Sequence, residues 1–343
     1  MKYSLSILGA AIALLTPMAH ANPPVAPDYR SREDVQVFAR TMEAEHGIPA
    51  GEILASLAGV ERDDQVIRLI TPPTRPGVRS WARYRARFIE PVRIREGLAF
   101  WDTYQVPLRQ ASQQYGVPEE IILGILGVET IFGRNTGNFT VVSALATLAF
   151  DDPPRAELFR KELTNLYLLA REQGVPATDY QGSFAGALGY PQFLPSSVRN
   201  FAVDFDGDGR VDLEHSPADA IGSIARYLQV HGWQAGGPVA LRARLAGEAP
   251  AELLAADIMP SFLPEELMNH GVRPADQEGF PQKAALIELV TPNAASEYWL
   301  GYQNFYVITR YNRSSFYAMA VFQLAETLRQ RRAATAATAA RGE

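Results

Sequence analysis

The chain has 343 residues, with 38 acidic against 32 basic side chains for a net charge of −6, and no cysteine. An acidic balance is a poor match for non-specific binding to nucleic acid. The missing cysteine rules out disulfides, thiol catalysis, Cys-ligated zinc and attachment of lipid at a lipobox.

In chain order, Lys2, an apolar stretch from Leu5 to Leu15 and the small-x-small site Ala19-His20-Ala21 predict a cleavable export signal over residues 1–21. No later segment reaches the roughly 18 uncharged apolar residues a membrane helix needs. Residues 22–30 carry three prolines and read as an extended leader, with order beginning near Ser31. From there to about residue 115 the apolar spacing is helical: Val35, Phe38, Met42; Ile53, Leu54, Leu57; Phe88, Ile89; then Leu98, Trp101, Tyr104. Pro49, the segment 71–76 and Pro107 punctuate these helices.

A more apolar helix opens at Val117-Pro118-Glu119-Glu120. Pro118 suits the first helical position, the acids suit the positive end of the helix dipole, and Gly133 is the expected terminator. Further helices are predicted over 155–172 and 218–231. After Gly236-Gly237 the pattern changes. Residues 239–245 alternate with period two and 284–290 are rich in strand formers, so 237–292 read as a small strand-containing insertion. Phe305–Thr309 reads as another strand and Phe316–Gln330 as a return to helix within a segment 293–330. The tail 331–343 is low in complexity; it either frays or, through its alanines, prolongs the last helix. The fold class expected from these elements is mainly α, of the α+β kind.

Four constellations carry chemistry. Glu129 is the single charged residue between Ile121 and Phe132. A carboxylate among apolar side chains is poorly solvated when ionised, so it holds its proton towards neutral pH and can donate it to a leaving group. The competing reading is a glutamate at the rim of a core helix, turned to solvent or held by Arg134. Next, the segment from Gln181 to Ser197 is dense in glycine, with Ser183 and Gln192 as its polar groups. Such a loop admits close approach of a ligand to backbone, or simply serves tight packing.

Asp204-Phe-Asp206-Gly-Asp208-Gly209-Arg210 matches the opening of a calcium loop: oxygen ligands at positions 1, 3 and 5, glycine at 6 and a backbone carbonyl at 7. His215 stands where the bidentate glutamate belongs, so Asp219, with Glu214 second, is expected to complete the sphere. The alternative is an acidic Asp-Gly turn without metal, but three acids this close repel unless a cation sits among them. A structural Ca2+ is therefore expected. Finally, Glu297–Tyr317 is crowded with aromatics, which form core or stack on sugar rings. The five histidines are scattered. Neither a His-Glu-x-x-His nor a Gly-x-Ser-x-Gly motif occurs, which removes the main support for zinc-protease and α/β-hydrolase readings.

Taken together, Gly127-Val-Glu129-Thr-x-x-Gly133, Gly182-Ser-Phe-Ala-Gly-Ala-x-Gly-Tyr-x-Gln192-Phe-x-Pro-Ser-Ser197, the Asp-rich loop, Asp219-Ala-Ile-Gly-Ser and Asn304-Phe-Tyr-Val-Ile-Thr-Arg-Tyr-Asn312 resemble the B-type lytic murein transglycosylases. The resemblance covers roughly residues 31–330. It implies a lysozyme-like catalytic core within 31–236, with an EF-hand-like calcium loop at 204–219, and cleavage of the β-1,4 bond between N-acetylmuramic acid and N-acetylglucosamine without water to leave a 1,6-anhydromuramoyl end. Carried over by motif, Glu129 is the acid and then the base. Ser183 and Gln192 hold the N-acetylated sugars, and Tyr84, Tyr227, Tyr311, Asn312 and Tyr317 line the groove. Asp204, Asp206, Asp208, Arg210 and Asp219 hold calcium. Peptidoglycan strands are the implied partner, cell-wall synthesis proteins are admitted as others, and the absent cysteine implies a soluble periplasmic form. Two-carboxylate glycosidases need a second acid about 5–9 Å away. No partner stands beside Glu129 in the motifs, so one residue performs both steps. A hydrolytic muramidase of the same fold and a catalytically silent wall-binding protein are the alternatives.

Overall fold

The computed structural model describes residues 28–71, 79–276 and 279–339. The export signal and residues 22–27 of the leader lie outside them. Six helices come first: α1 (Glu33–His46), α2 (Ala50–Ser56), α3 (Asp64–Ile70), α4 (Trp81–Ala86), α5 (Pro91–Thr103) and α6 (Gln105–Tyr115). Their starts follow local chemistry. Asp63 caps α3 by accepting from the N–H groups of Gln65 and Val66, and Glu90 does the same for Val92 and Arg93 at α5. Residues before Ser31 are already structured. Tyr29–Ser31 forms a 3-10 turn, and Tyr29 is buried with its hydroxyl bonded to Asp151, while Arg32 pairs with Asp151 at 2.7 Å. The three prolines all precede this anchor, so they leave it free to form.

The centre is α7 (Glu119–Thr130), followed by the two-residue strand β1 (Phe139–Thr140), α8 (Val141–Asp151), α9 (Ala156–Gln173), β2 (Gln181–Gly182), α10 (Pro195–Phe201) and α11 (Pro217–Val230). Pro118 sits just before the first turn of α7 rather than within it. Nor does Gly133 end that helix. Ile131 and Phe132 already have φ of 53° and 57°, and the Phe132 N–H returns to the Leu126 carbonyl. Packing of the Phe132 ring against Phe100, with centroids 5.5 Å apart, offsets the cost of that left-handed backbone.

The remaining strands gather in one antiparallel sheet of order β4-β3-β6-β5: β3 (Ala240–Leu245), β4 (Val272–Pro274), β5 (Ala285–Leu289) and β6 (Glu297–Gly301). Between β3 and β4 lie α12 (Ala251–Ala255) and α13 (Pro264–Asn269). Since β6 pairs with both β3 and β5, the sheet unit runs past residue 292 to Gly301. Its faces serve different cores. Leu286 and Leu300 join a small cluster with Leu253, Leu267 and Tyr302, whereas Ala285, Ile287 and Leu289 join the main core.

Phe305–Thr309 is not a strand. Residues Gln303–Ile308 form α14, which buries Phe305 and Ile308 one turn apart, and the buried Asn304 amide bonds to Gln234 and Gly237. Tertiary contacts override the β-branched composition there. The last helix, α15 (Ser315–Ala339), continues through the alanine-rich tail as far as it is described. The protein is mainly helical with small sheets, and α7 and α15 cross at its core.

Candidate active site

Glycine lets α7 and α15 approach. A Cβ at Gly124 would stand 2.6 Å from the Val321 carbonyl oxygen, and one at Gly127 would stand 2.6 Å from a Leu324 methyl. This contact brings the last turn of α7 to the first turns of α15. There the Tyr317 hydroxyl donates to Glu129 Oε1 at 2.5 Å. Glu129 is half-buried and Tyr317 almost wholly so. Burial pushes the Glu129 carboxyl up to about 7, against the opposing pull of the Tyr317 hydrogen bond. Arg134 pairs with Glu96 at 2.9 Å, so it is engaged away from Glu129.

Tyrosines cluster around Glu129. Burial, then the Glu129 charge, raises the hydroxyls of Tyr84 on α4, Tyr311 and Tyr317. Tyr311 and Tyr317 stack with ring planes 16° apart at 6.5 Å. Tyr227 on α11 lies 4.8 Å from Tyr311 and stacks on His231 at 4.0 Å, while its hydroxyl donates to the Arg310 carbonyl at 2.7 Å. Tyr227 thus supports Tyr311 more than it faces solvent. Asn312 follows Tyr311 and is exposed.

The glycine-rich loop packs against the end of α7 and against Tyr311. β1 and β2 pair at its base, and Gly137 is obligatory because a Cβ there would meet the Gly182 carbonyl oxygen at 2.1 Å. The Ser183 hydroxyl oxygen accepts from the N–H groups of Ala185 and Ala187, so it shapes its own turn. Gln192 adopts a left-handed φ of 52°, and its amide nitrogen donates to the carbonyls of Thr136 and Gly189. The Tyr311 hydroxyl donates to the neighbouring Pro191 carbonyl at 2.9 Å, which ties the tyrosines to the loop.

One residue escaped the sequence reading. Thr130, fully buried beside Glu129, donates to the Tyr190 carbonyl at 3.0 Å and accepts from the Gly133 N–H, clamping the end of α7 to the glycine-rich loop. A hydroxyl in an otherwise apolar run was the available signal, since a buried polar group needs partners.

Behind this loop, oxygens of Asp204, Asp206 and Asp219 lie within 4.8 Å of one another. Gly207 and Gly209 turn the chain with φ of 78° and 92°. Asp219 accepts from the backbone of Phe205, Asp206 and Asp212, and it is buried, whereas Glu214 is exposed. Asp219 is therefore the residue the fold carries into the loop. Asp208 and Arg210 are exposed, and the Asp208 carboxylate caps the Arg210 N–H. Converging carboxylates in a glycine-bent loop fit a hard, oxygen-seeking cation. The loop also touches the site: the Tyr190 N–H donates to the Leu213 carbonyl at 2.9 Å.

A mainly helical body that encloses a carboxylic acid where the end of α7 meets the start of α15 is of the lysozyme-like class. A family model described as a transglycosylase SLT domain matches residues 30–326. The membrane-bound lytic murein transglycosylase B of Escherichia coli K12 is 41% identical over 310 residues, covering 88% of this chain and 84% of that one. Among solved structures, the soluble lytic transglycosylase SltB1 of Pseudomonas aeruginosa is 43% identical with a TM-score of 0.80, covering 88% of this chain and 99% of that one. The Escherichia coli lytic transglycosylase Slt35 in complex with calcium is 40% identical with a TM-score of 0.79, covering 90% and 96%. The chain belongs to the transglycosylase SLT-domain family and is a lytic murein transglycosylase, a lyase of peptidoglycan.

Proposed function

We propose that Glu129 carries both proton transfers of this reaction. Held protonated near neutral pH by burial, it donates to the glycosidic oxygen between N-acetylmuramic acid and N-acetylglucosamine as an oxocarbenium-like centre forms at C1, assisted by the sugar's N-acetyl group. The ionised Glu129 then takes the proton of the muramoyl 6-hydroxyl as that oxygen attacks C1. The Tyr317 hydroxyl steadies the carboxylate between the two steps. Water is not consumed, and the product ends in 1,6-anhydromuramic acid. The observation that carries this reading is the Glu129 carboxyl enclosed where α7 meets α15 with the Tyr317 hydroxyl donating to it, while burial raises its proton affinity.

Tyr84, Tyr311 and Tyr317 supply the aromatic wall, Asn312 the exposed amide at its edge, and Tyr227 its backing. Ser183 and Gln192 shape the loop opposite, which receives the N-acetylated sugars. Asp204, Asp206 and Asp219, with Asp208 and the Arg210 carbonyl completing the sphere, would hold a structural Ca2+; the related Slt35 complexed with calcium supports this. The ion would neutralise the repelling acids and brace the loop behind Tyr190, and it takes no part in bond cleavage.

We place the action in the periplasm, supported by the substrate class and the export signal read at residues 1–21. Among the described residues no helix is long and apolar enough to cross a membrane. Mass spectrometry of fragments released from purified peptidoglycan tests the reading. Fragments lighter by one water than hydrolysis products are expected, and hydrated reducing ends would overturn it.

A further inference from the structure

One guanidinium joins two helix ends beside the site. In a continuing helix the Ile131 N–H would bond the Gly127 carbonyl, but the left-handed turn at Ile131 sends it to the Leu126 carbonyl. The Gly127 carbonyl, two residues before Glu129, accepts from Arg93 Nε on α5 at 2.9 Å. The same guanidinium donates through Nη1 to the carbonyl of Arg87, the C-terminal cap of α4, at 2.5 Å. Both carbonyls lie at helix C-termini, where the dipole favours a cation. Only 15% of the Arg93 side chain is exposed. Glu90 orients it, accepting from the Arg93 backbone N–H at 2.8 Å and standing 3.5 Å from Nη1. A second path runs through rings. The guanidinium lies 5.1 Å over the Phe88 ring, and Phe88 packs 5.0 Å from Tyr84.

We propose that Arg93 is a positioning residue for the transglycosylase reaction: it ties α4 to the last turn of α7 and so fixes the span between Tyr84 and Glu129 across which the sugar is held. This rests on the reading of Glu129 as the acid and of Tyr84 as a sugar-facing side chain. Helix α4 has only six residues, too few to be stable alone in water, so what it is tied to decides where Tyr84 stands. The tie suits arginine. Its planar fork sends Nε–H and Nη1–H in fixed directions, one to each carbonyl, whereas lysine presents its donors from one atom on a flexible stem. Arg93 acts through Gly127 and through Phe88, and it moves no proton. A displacement of about 1 Å in such a span is enough to slow turnover roughly a hundredfold.

Initial rates of Arg93→Lys on purified peptidoglycan, taken well below the Tm of the variant, are the test. Its kcat should fall about ten- to a hundredfold while KM changes less than about threefold. A merely structural role would lower Tm and leave the kcat of the folded protein alone. The fragments released should still end in the anhydro sugar, so the product reports on the role of Glu129 and the rate on Arg93. Since Arg93 acts on the placement of Tyr84, the kcat loss should shrink to less than about threefold when Arg93→Lys is made in a Tyr84→Ala background. If Arg93→Lys does not fold, Phe88→Leu, which spares both carbonyl bonds and removes the ring between Arg93 and Tyr84, carries the same expectations. Wild-type kcat in the folded variant, or a loss that multiplies in full with that of Tyr84→Ala, would overturn the proposal.

Discussion

Tyr317 and Glu129 stand 188 residues apart in the chain and 2.5 Å apart in space. The hydroxyl approaches the carboxyl from α15 while the apolar turn of α7 closes around it, so the hydrogen bond orients the acid and lowers its proton affinity while burial raises it. The variants below test how these two effects divide.

Glu129→Gln keeps the volume of the side chain and a carbonyl able to accept from Tyr317, but it has no proton to give. Release of fragments should fall at least a thousandfold, while thermal unfolding shows a folded protein. The same variant should become relatively more stable as pH rises. The folded carboxyl keeps its proton between its ordinary value of 4.5 and about 7, so the wild type loses stability as pH climbs through that window. The gain in the variant at pH 8 is bounded by about 3 kcal/mol, and urea unfolding at pH 4 and pH 8 measures it. Near-normal fragment release would refute the assignment.

Tyr317→Phe removes the hydrogen bond that lowers the Glu129 pKa. The alkaline limb of the turnover profile, set by loss of the Glu129 proton near pH 7 in the wild type, should then move to higher pH. A pH series of initial rates reads this directly. A limb that stays in place would mean that another group controls it.

Asp219→Ala deletes the acceptor of three backbone N–H groups and a carboxylate of the acidic cluster. A loss of about 1–3 kcal/mol is expected, the cost of leaving a donor without a partner, because the three donors are only partly shielded from water. Chelation of calcium should lower the Tm of the wild type and leave that of the variant unchanged. Calorimetric titration showing no calcium binding to the chelated wild type would sink the metal assignment.

Gly189→Ala would place a Cβ 2.1 Å from the Leu213 carbonyl oxygen at a residue with φ of 61°. Both strains act where the glycine-rich loop meets Leu213, three residues before Gln192. The variant should lose about 1–3 kcal/mol in denaturant unfolding and lose turnover out of proportion to that change. Intact turnover in a destabilised variant would show that the loop tolerates displacement.

How legible the site was depended on the kind of signal each residue carried. Glu129 could be read because a lone charge in an apolar helix is a local contradiction. The clustering of Asp204 and Asp206 was legible because the two acids stand close in sequence, and that of Asp219 because it opens the next helix. Thr130 was missed because its partners, Tyr190 and Gly133, are chosen by how the glycine-rich loop folds back on α7. The strand expected over Phe305–Thr309 failed for a related reason: residues rich in β-branched and aromatic side chains go helical when a buried asparagine and two core positions one turn apart decide otherwise.

Composition, periodicity and local motifs by themselves determined the helical class, the strands of the insertion, the candidate acid and the acidic loop, because each rests on interactions within a few residues. Tertiary structure alone decided that Tyr317 meets Glu129, that Tyr227 backs Tyr311 instead of facing solvent, that β6 closes the sheet beyond residue 292, and that Arg93 bridges the ends of α4 and α7. Those outcomes depend on which helices approach closely, and that is set by glycines such as Gly124 and Gly127, whose role is visible only against the surface they admit.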